Sequence, residues 1–213
     1  MLEIWGRKTS SNVQALMWCV GELGLAYRRY DIGHRFGGND TPEFLAMNPN
    51  GTIPVLRDDK CEPMWETGAI LRYLAASYGN EDFWPIEARR RIKIDQWAEW
   101  SKLNIAANFT APIFWRVIRT AAKERDEQAI TQALQTLHKF LLIANNQLEQ
   151  HPYITGKAFT LADIQFGHLL YRYFDIAIER ENLSALERYY QRLQQREAFV
   201  EHVMVSYEEL RVT

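Results

Sequence analysis

Very little in this sequence can carry metal or disulfide chemistry. Its two cysteines, Cys19 and Cys61, stand far apart, form no CxxC pair and supply no disulfide framework. Read as free thiols, they suit a reducing cytosol. The five histidines are scattered, with no H-x-x-x-H or His/Cys grouping, so no metal site is expected. Charge of one sign is also missing. The 25 basic and 27 acidic side chains leave a net −2, which draws the chain to neither nucleic acid nor a membrane surface. The N-terminus has no apolar signal run, and no stretch approaches membrane-spanning length. Internal repeats and low-complexity tracts are absent too. What remains is the composition of an ordinary globular protein, 47% hydrophobic and 24% charged, at a length of 213 residues that fits one large or two modest domains.

Two halves differ in character. Leu2 to Trp5 alternates like a half-buried strand, and Ser10, Ser11 and Asn12 open a helix with apolar residues at Val13, Leu16, Met17 and Val20. Tyr27 to Ile32 reads as a second strand, completing a βαβ unit. A glycine-rich loop from His34 to Asp40 leads to a short helix begun by Thr41-Pro42-Glu43, with proline in the first turn. Strands are expected over 55–57 and 62–65, and a helix over 67–78 closed by Gly79. Periodicity then stops, and Trp84-Pro85 marks a linker. Beyond it everything reads as helix, with Ile130, Leu134, Leu137, Leu141 and Leu148 at helical spacing. Within that half, Phe159-Thr160-Leu161-Ala162-Asp163-Ile164 is a capping box with a hydrophobic staple.

The most informative stretch is Asn48-Pro49-Asn50-Gly51-Thr52-Ile53-Pro54-Val55-Leu56, followed by Trp65-Glu66-Thr67-Gly68-Ala69-Ile70. Turn formers run into a short apolar strand, and Ile53, preceding proline, is pushed to an extended conformation. Pro54 cannot donate to a ladder, so residue 53 is free to offer its backbone edge to a ligand. The second piece sets an acid and a hydroxyl where a new helix begins, and the positive end of that helix favours a carboxylate. A strand edge beside a helix N-terminus suits an extended, peptide-like anion.

With these segments the chain resembles the glutathione transferases. Their thioredoxin-like domain carries N-P-x-G-x-x-P with a cis-proline, then E-[S/T]-x-A-I, and the helical domain carries the late capping motif. The resemblance covers the whole chain. It implies an α/β thioredoxin-like N-terminal domain plus an all-α C-terminal domain. The division expected is a glutathione-binding domain over 1–80, a linker over 81–86, and a helical domain contributing the electrophile site over 87–213.

The resemblance also implies roles for particular residues. Ser10 matches the position where serine-type members hold their catalytic hydroxyl, with Asn12 a second donor to sulfur. Read without the resemblance, Ser10, Ser11 and Asn12 are simply three good helix caps. Glu66 and Thr67 match the pair that binds the γ-glutamyl ammonium and carboxylate, and Ile53 the backbone that binds the cysteinyl part. Asn39 and Thr52 stand where many relatives carry cationic or amide residues, and Asp40 has the wrong charge for a carboxylate. Either glutathione is bound more weakly here than in those relatives, or its glycyl end falls to another residue, such as His34 or Arg7. Cysteine-type relatives keep a thiol where Ser10 stands, so mixed-disulfide chemistry is disfavoured.

The second substrate is expected between the domains. Candidates for its site are Phe36, Trp100, Asn104, Trp115 and Arg119, with Asn104 and Asn108 placed on the face of Trp100. Core packing is the alternative reading for the tryptophans, and solvent exposure for the arginine. The expected function is a cytoplasmic, homodimeric glutathione transferase with glutathione as co-substrate and no metal, serving detoxification. Dehalogenation of a small halogenated acid, peroxide or disulfide reduction and isomerisation share its first step, and Arg119 favours an anionic electrophile. The competing class is a non-enzymatic binding or regulatory protein on the same fold.

Overall fold

The structure is a computed structural model and describes residues 1–59 and 61–212. Four short strands form one mixed sheet: β1 (Leu2–Trp5), β2 (Tyr27–Tyr30), β3 (Val55–Asp58) and β4 (Met64–Trp65), in the order β2-β1-β3-β4. β1 runs parallel to β2 and antiparallel to β3, which pairs antiparallel with β4. The parallel pair needs a crossover, supplied by helix α1 (Ser11–Glu22). β2 ends two residues before the expected Ile32, and β4 keeps only the last two of the four residues expected.

Leu2 and Ile4 are buried while Glu3 and Trp5 are half-buried, the alternation of a strand with one covered face. α1 behaves differently, because every residue from Val13 to Val20 is buried. A helix buried on every face must be covered on all sides, although here the stretch includes the polar Gln14. α1 packs on helix α3 (Thr67–Tyr78) and, from the helical half, on helices Leu161–Gly167 and Glu197–His202. The core therefore runs without a break from the sheet into the helical half.

The loop after β2 holds a single 3₁₀ turn at His34–Phe36 and reaches helix α2 (Pro42–Met47), capped by the Thr41 hydroxyl, which accepts from the Phe44 N–H. Beyond α3, helix α4 (Ala88–Trp100) is continued by π-type turns at Ser101–Ala106 and Thr110–Trp115 and ends at Ile118. Pro112 lies in the second of these and has no N–H to give the ladder. In the first, side chains fill in for the ladder: Asn104 Nδ2 donates to the Trp100 carbonyl at 3.0 Å and Asn108 Nδ2 to the Asn104 carbonyl at 2.8 Å. Among the described residues no helix is long and apolar enough to cross a membrane.

Candidate active site

Gly6 follows β1 at φ +155°, where a Cβ would come within 2.5 Å of Val13 Cγ2 and 3.4 Å of Ile53 Cβ. The missing side chain lets Ile53 close on the β1–α1 loop. That loop turns through Arg7 to Ser10, whose N–H donates to the Arg7 carbonyl at 3.2 Å. Ser10 is the N-cap residue of the twelve-residue α1, yet its side chain makes no capping hydrogen bond. Its half-buried hydroxyl is thus uncommitted at the positive end of a helix. Asn12, the second residue of α1, is exposed.

The Ile53–Pro54 peptide is cis, as the resemblance implies. The ladder to β1 begins at Val55, which pairs with Trp5 on one side and Trp65 on the other. Ile53 is left outside it, and the Val55–Trp65 pairing sets residues 53–54 beside Glu66 and Thr67. Glu66 sits in the left-handed region at φ +67°, a conformation that costs a non-glycine residue about 1–3 kcal/mol and collects at ligand-binding sites. Thr67 begins α3 and is buried. The Glu66 carboxylate accepts from Lys102 Nζ at 3.1 Å. Nothing in the sequence signals this pair, since 36 positions separate its members.

Asn39 and Thr52 hold loops to one another. Asn39 Nδ2 donates to the Gly51 carbonyl at 2.8 Å, and Asn48 Nδ2 donates to the carbonyl and hydroxyl of Thr52 at 2.8 and 3.2 Å. These bonds keep the turn before Ile53 in shape.

The expected electrophile residues divide. Phe36 and Trp115 are exposed aromatics, each with a guanidinium over its ring: Arg35 at 4.9 Å and Arg119 at 4.8 Å. Trp100 instead packs on Trp97, Phe140 and Phe166 inside the helical half, and Asn104 spends its amide on backbone. The core-packing alternative describes Trp100. A separate concavity of about 1300 Å³ between helix Glu127–Gln150 and residues 177–181 includes none of these residues.

Arg172 was not marked by the sequence. It is buried, donates from Nη2 to the Thr9 carbonyl at 2.7 Å, and lies 4.6 Å over the Phe114 ring. Its contact with Thr9 spans 163 positions. Burial first, then the charges of Arg119 and Arg7, brings its guanidinium down to about 9. Burial, Arg7 and Arg119 likewise lower the His34 imidazole. Neither cysteine belongs to the site: Cys19 is buried in α1, its thiol pushed up by burial, and Cys61 is exposed beyond β3.

Two family models match the chain: "Glutathione S-transferase, N-terminal domain" over residues 9–77 and "Glutathione S-transferase, C-terminal domain" over residues 105–197. Glutathione S-transferase GstB of Escherichia coli is 34% identical over 206 residues, 96% of this chain and 99% of that protein. Glutathione S-transferase 3 of Zea mays is 30% identical over 165 residues, 76% of this chain and 73% of that protein. Among solved structures, the theta class glutathione S-transferase of Xanthomonas axonopodis pv. citri with glutathione bound superposes with a TM-score of 0.91. It is 40% identical and covers 96% of this chain and 98% of its own.

Proposed function

The chain belongs to the glutathione S-transferase family, and we propose that it binds glutathione between Ile53 and Thr67, holds its thiolate at Ser10 and transfers it to a small electrophile. The observation that carries this reading is the Ser10 hydroxyl, set at the head of α1 and spared from capping. A thiol of pKa about 8.5 is mostly protonated at neutral pH, and lowering it by two units takes roughly 2.7 kcal/mol of preference for the thiolate. A hydroxyl donating to sulfur and the positive helix end are suited to supply it. Asn12, exposed one step further on, is the second donor.

The backbone edge of Ile53 receives the cysteinyl part. Thr67 and the first N–H groups of α3 take the γ-glutamyl carboxylate. The α-ammonium goes to Glu66, where Lys102 already supplies an ammonium to the carboxylate. Both partners are about half-exposed, so exchanging one cation for another costs little. Asn39 and Thr52 act by shaping the Ile53 turn. Phe36, Trp115 and Arg119 line the electrophile side, with Trp100 and Asn104 behind them in the helical wall. Held in one orientation, thiolate and electrophile react with the advantage of proximity.

On this reading residues 1–80 form the glutathione-binding domain, 81–86 the linker and 87–213 the helical domain. Two unpaired cysteines suit a cytoplasmic enzyme; the homodimer and the detoxifying role follow from the family resemblance, and sedimentation of the purified protein checks the dimer. The test of function is calorimetric titration with glutathione and S-hexylglutathione, followed by ultraviolet titration of the bound thiol. Saturable binding lost in Glu66→Ala is expected, and in Ser10→Ala a thiol pKa raised by about one unit or more, with a turnover loss of about tenfold or more. An unshifted thiol in Ser10→Ala transfers the role to Asn12 or the backbone. Binding without turnover of any electrophile makes the protein a binding module.

A further inference from the structure

The ion pair between Lys102 and Glu66 brings the helical half onto the residue that receives the γ-glutamyl ammonium. Glu66 is the N-cap residue of α3, yet its side chain makes no capping hydrogen bond, and its backbone is held at φ +67°. A capping role does not account for that conformation, which elsewhere collects at ligand-binding sites. The carboxylate is spared for a cation, and in this structure the cation is Lys102 Nζ at 3.1 Å.

The seam between α3 and α4 places Lys102 there. Asp95, Glu99 and Lys102 follow one another at steps of four and three, so they share one helix face. Arg72 of α3 donates from Nε to Asp95 at 2.7 Å and from Nη2 to Glu99 at 2.9 Å. Its Nη1 donates to the Gly68 carbonyl at 3.1 Å, in the first turn of its own helix. These bonds hold the start of α3 against α4 and commit Arg72. Lys102, about one turn beyond Glu99, has donors to spare: its ammonium carries three, and Glu66 takes one. The two side chains are 44% and 52% exposed, so the pair is weak and open to exchange.

We infer that Lys102 is a placeholder for the ligand: its ammonium occupies the position of the glutathione α-ammonium on Glu66, yields it when the tripeptide enters, and moves to the adjacent α-carboxylate. The inference rests on the proposed glutathione site. The α-ammonium and α-carboxylate share one carbon. An ammonium on Glu66 therefore sets its carboxylate beside the same residue, within the sweep of the flexible four-carbon lysine stem. There Lys102 joins Thr67 and the first N–H groups of α3. One exposed ion pair is exchanged for two. A ligand with the amine alone displaces Lys102 and gives it no new partner. Lys102 thus makes the site selective for an α-amino acid head group over a plain amine, and it does so by competing with the wrong ligand as well as pairing with the right one.

The test compares S-hexylglutathione with S-hexyl-(4-aminobutanoyl)-cysteinylglycine, which keeps the amine and carries hydrogen in place of the α-carboxylate. The hexyl group common to both keeps the weaker ligand measurable. In calorimetry, Lys102→Gln should bind S-hexylglutathione about fivefold or more weakly than the wild type does, with Lys102→Arg within about twofold of wild type. The amine-only analogue should bind Lys102→Gln as tightly as the wild type or more tightly, since its competitor is gone. Unchanged circular dichroism and thermal melts check that the exposed substitution leaves the fold intact. Tighter binding of S-hexylglutathione by Lys102→Gln overturns the inference alone, leaving Lys102 a competitor and nothing more. So does equal affinity, and so does a loss of the same size for both ligands, which would be a general effect of the charge. No binding of S-hexylglutathione to the wild type overturns the glutathione site together with the inference.

Discussion

His168 is a buried histidine in the wall behind the site, with Nδ1 3.1 Å from the Ile164 carbonyl. Burial, reinforced by the charge of Arg172, brings its imidazole down to about 4. In the unfolded chain it returns to about 6.5. The unfolded state therefore binds a proton that the native state refuses, and stability present above pH 6.5 is lost as pH falls toward 4. Asp163 runs the other way. Burial raises its carboxyl to about 6, so its contribution is present below about 3.9 and lost as pH rises through 6. The two oppose each other between pH 4 and 6. Urea unfolding of His168→Gln at pH 7 and pH 5 should therefore lose about 2 kcal/mol less between the two pH values than the wild type does. Identical pH slopes in the two proteins would remove His168 from this account.

At the scale of elements, the helix Leu161–Gly167 hangs on one carboxylate. Asp163 accepts from the Thr160 N–H at 2.8 Å, the Thr160 hydroxyl at 3.1 Å, the Ile154 N–H at 2.9 Å and the Tyr189 hydroxyl at 2.9 Å. The cap is therefore also a bolt joining three segments. Asp163→Ala strands these donors in a sealed interior, and a loss of about 3 kcal/mol or more is expected in denaturant melts. A loss within about 1 kcal/mol would reduce the site to an ordinary cap. The capping box was readable from the sequence because its code is local: a hydroxyl, an acid three positions on, and two flanking apolar residues. The same holds for Asn48 to Pro54 and for Glu66-Thr67, where turn and helix-start chemistry lie within a few positions. The bonding of the long helix after Ala88 was less readable. Asn104 and Asn108 follow Trp100 in steps of four, but their amides serve the backbone carbonyls of the π-type turns, which no short pattern announces. The contacts of Arg172 with Thr9 and of Lys102 with Glu66 depend on packing between distant segments, and no short pattern encodes them.

The two halves of the molecule are joined closely enough to unfold as one. α1 is sheathed by both, and its C-terminal Glu22 is gripped by Arg196, which donates from Nε and Nη2 at 2.6 Å each. The halves also meet closely at Gly167, where a Cβ would lie 2.5 Å from Leu193 Cδ1 and 3.1 and 3.2 Å from the Trp18 ring. Leu193 ends in a flexible methyl group. Trp18 is fully buried, tied through Nε1 to Glu22 at 2.8 Å and edge-on to Phe199, so its ring has little room to retreat. Gly167→Ala should force α1 and the helical half apart, costing about 1–3 kcal/mol, less the few tenths to one kcal/mol that alanine returns as a helix former. Because Trp18 and Gly167 lie in different halves, tryptophan fluorescence and far-ultraviolet circular dichroism should shift to lower denaturant together, in one transition of unchanged slope. Separate transitions, or a fluorescence change that leaves the helical signal behind, would mean that the halves fold independently and that Arg172 reaches Thr9 across a joint that can open. Coincident transitions would make the junction part of the site, since the segment that carries Arg172 to Ser10 would then be as stable as the fold itself.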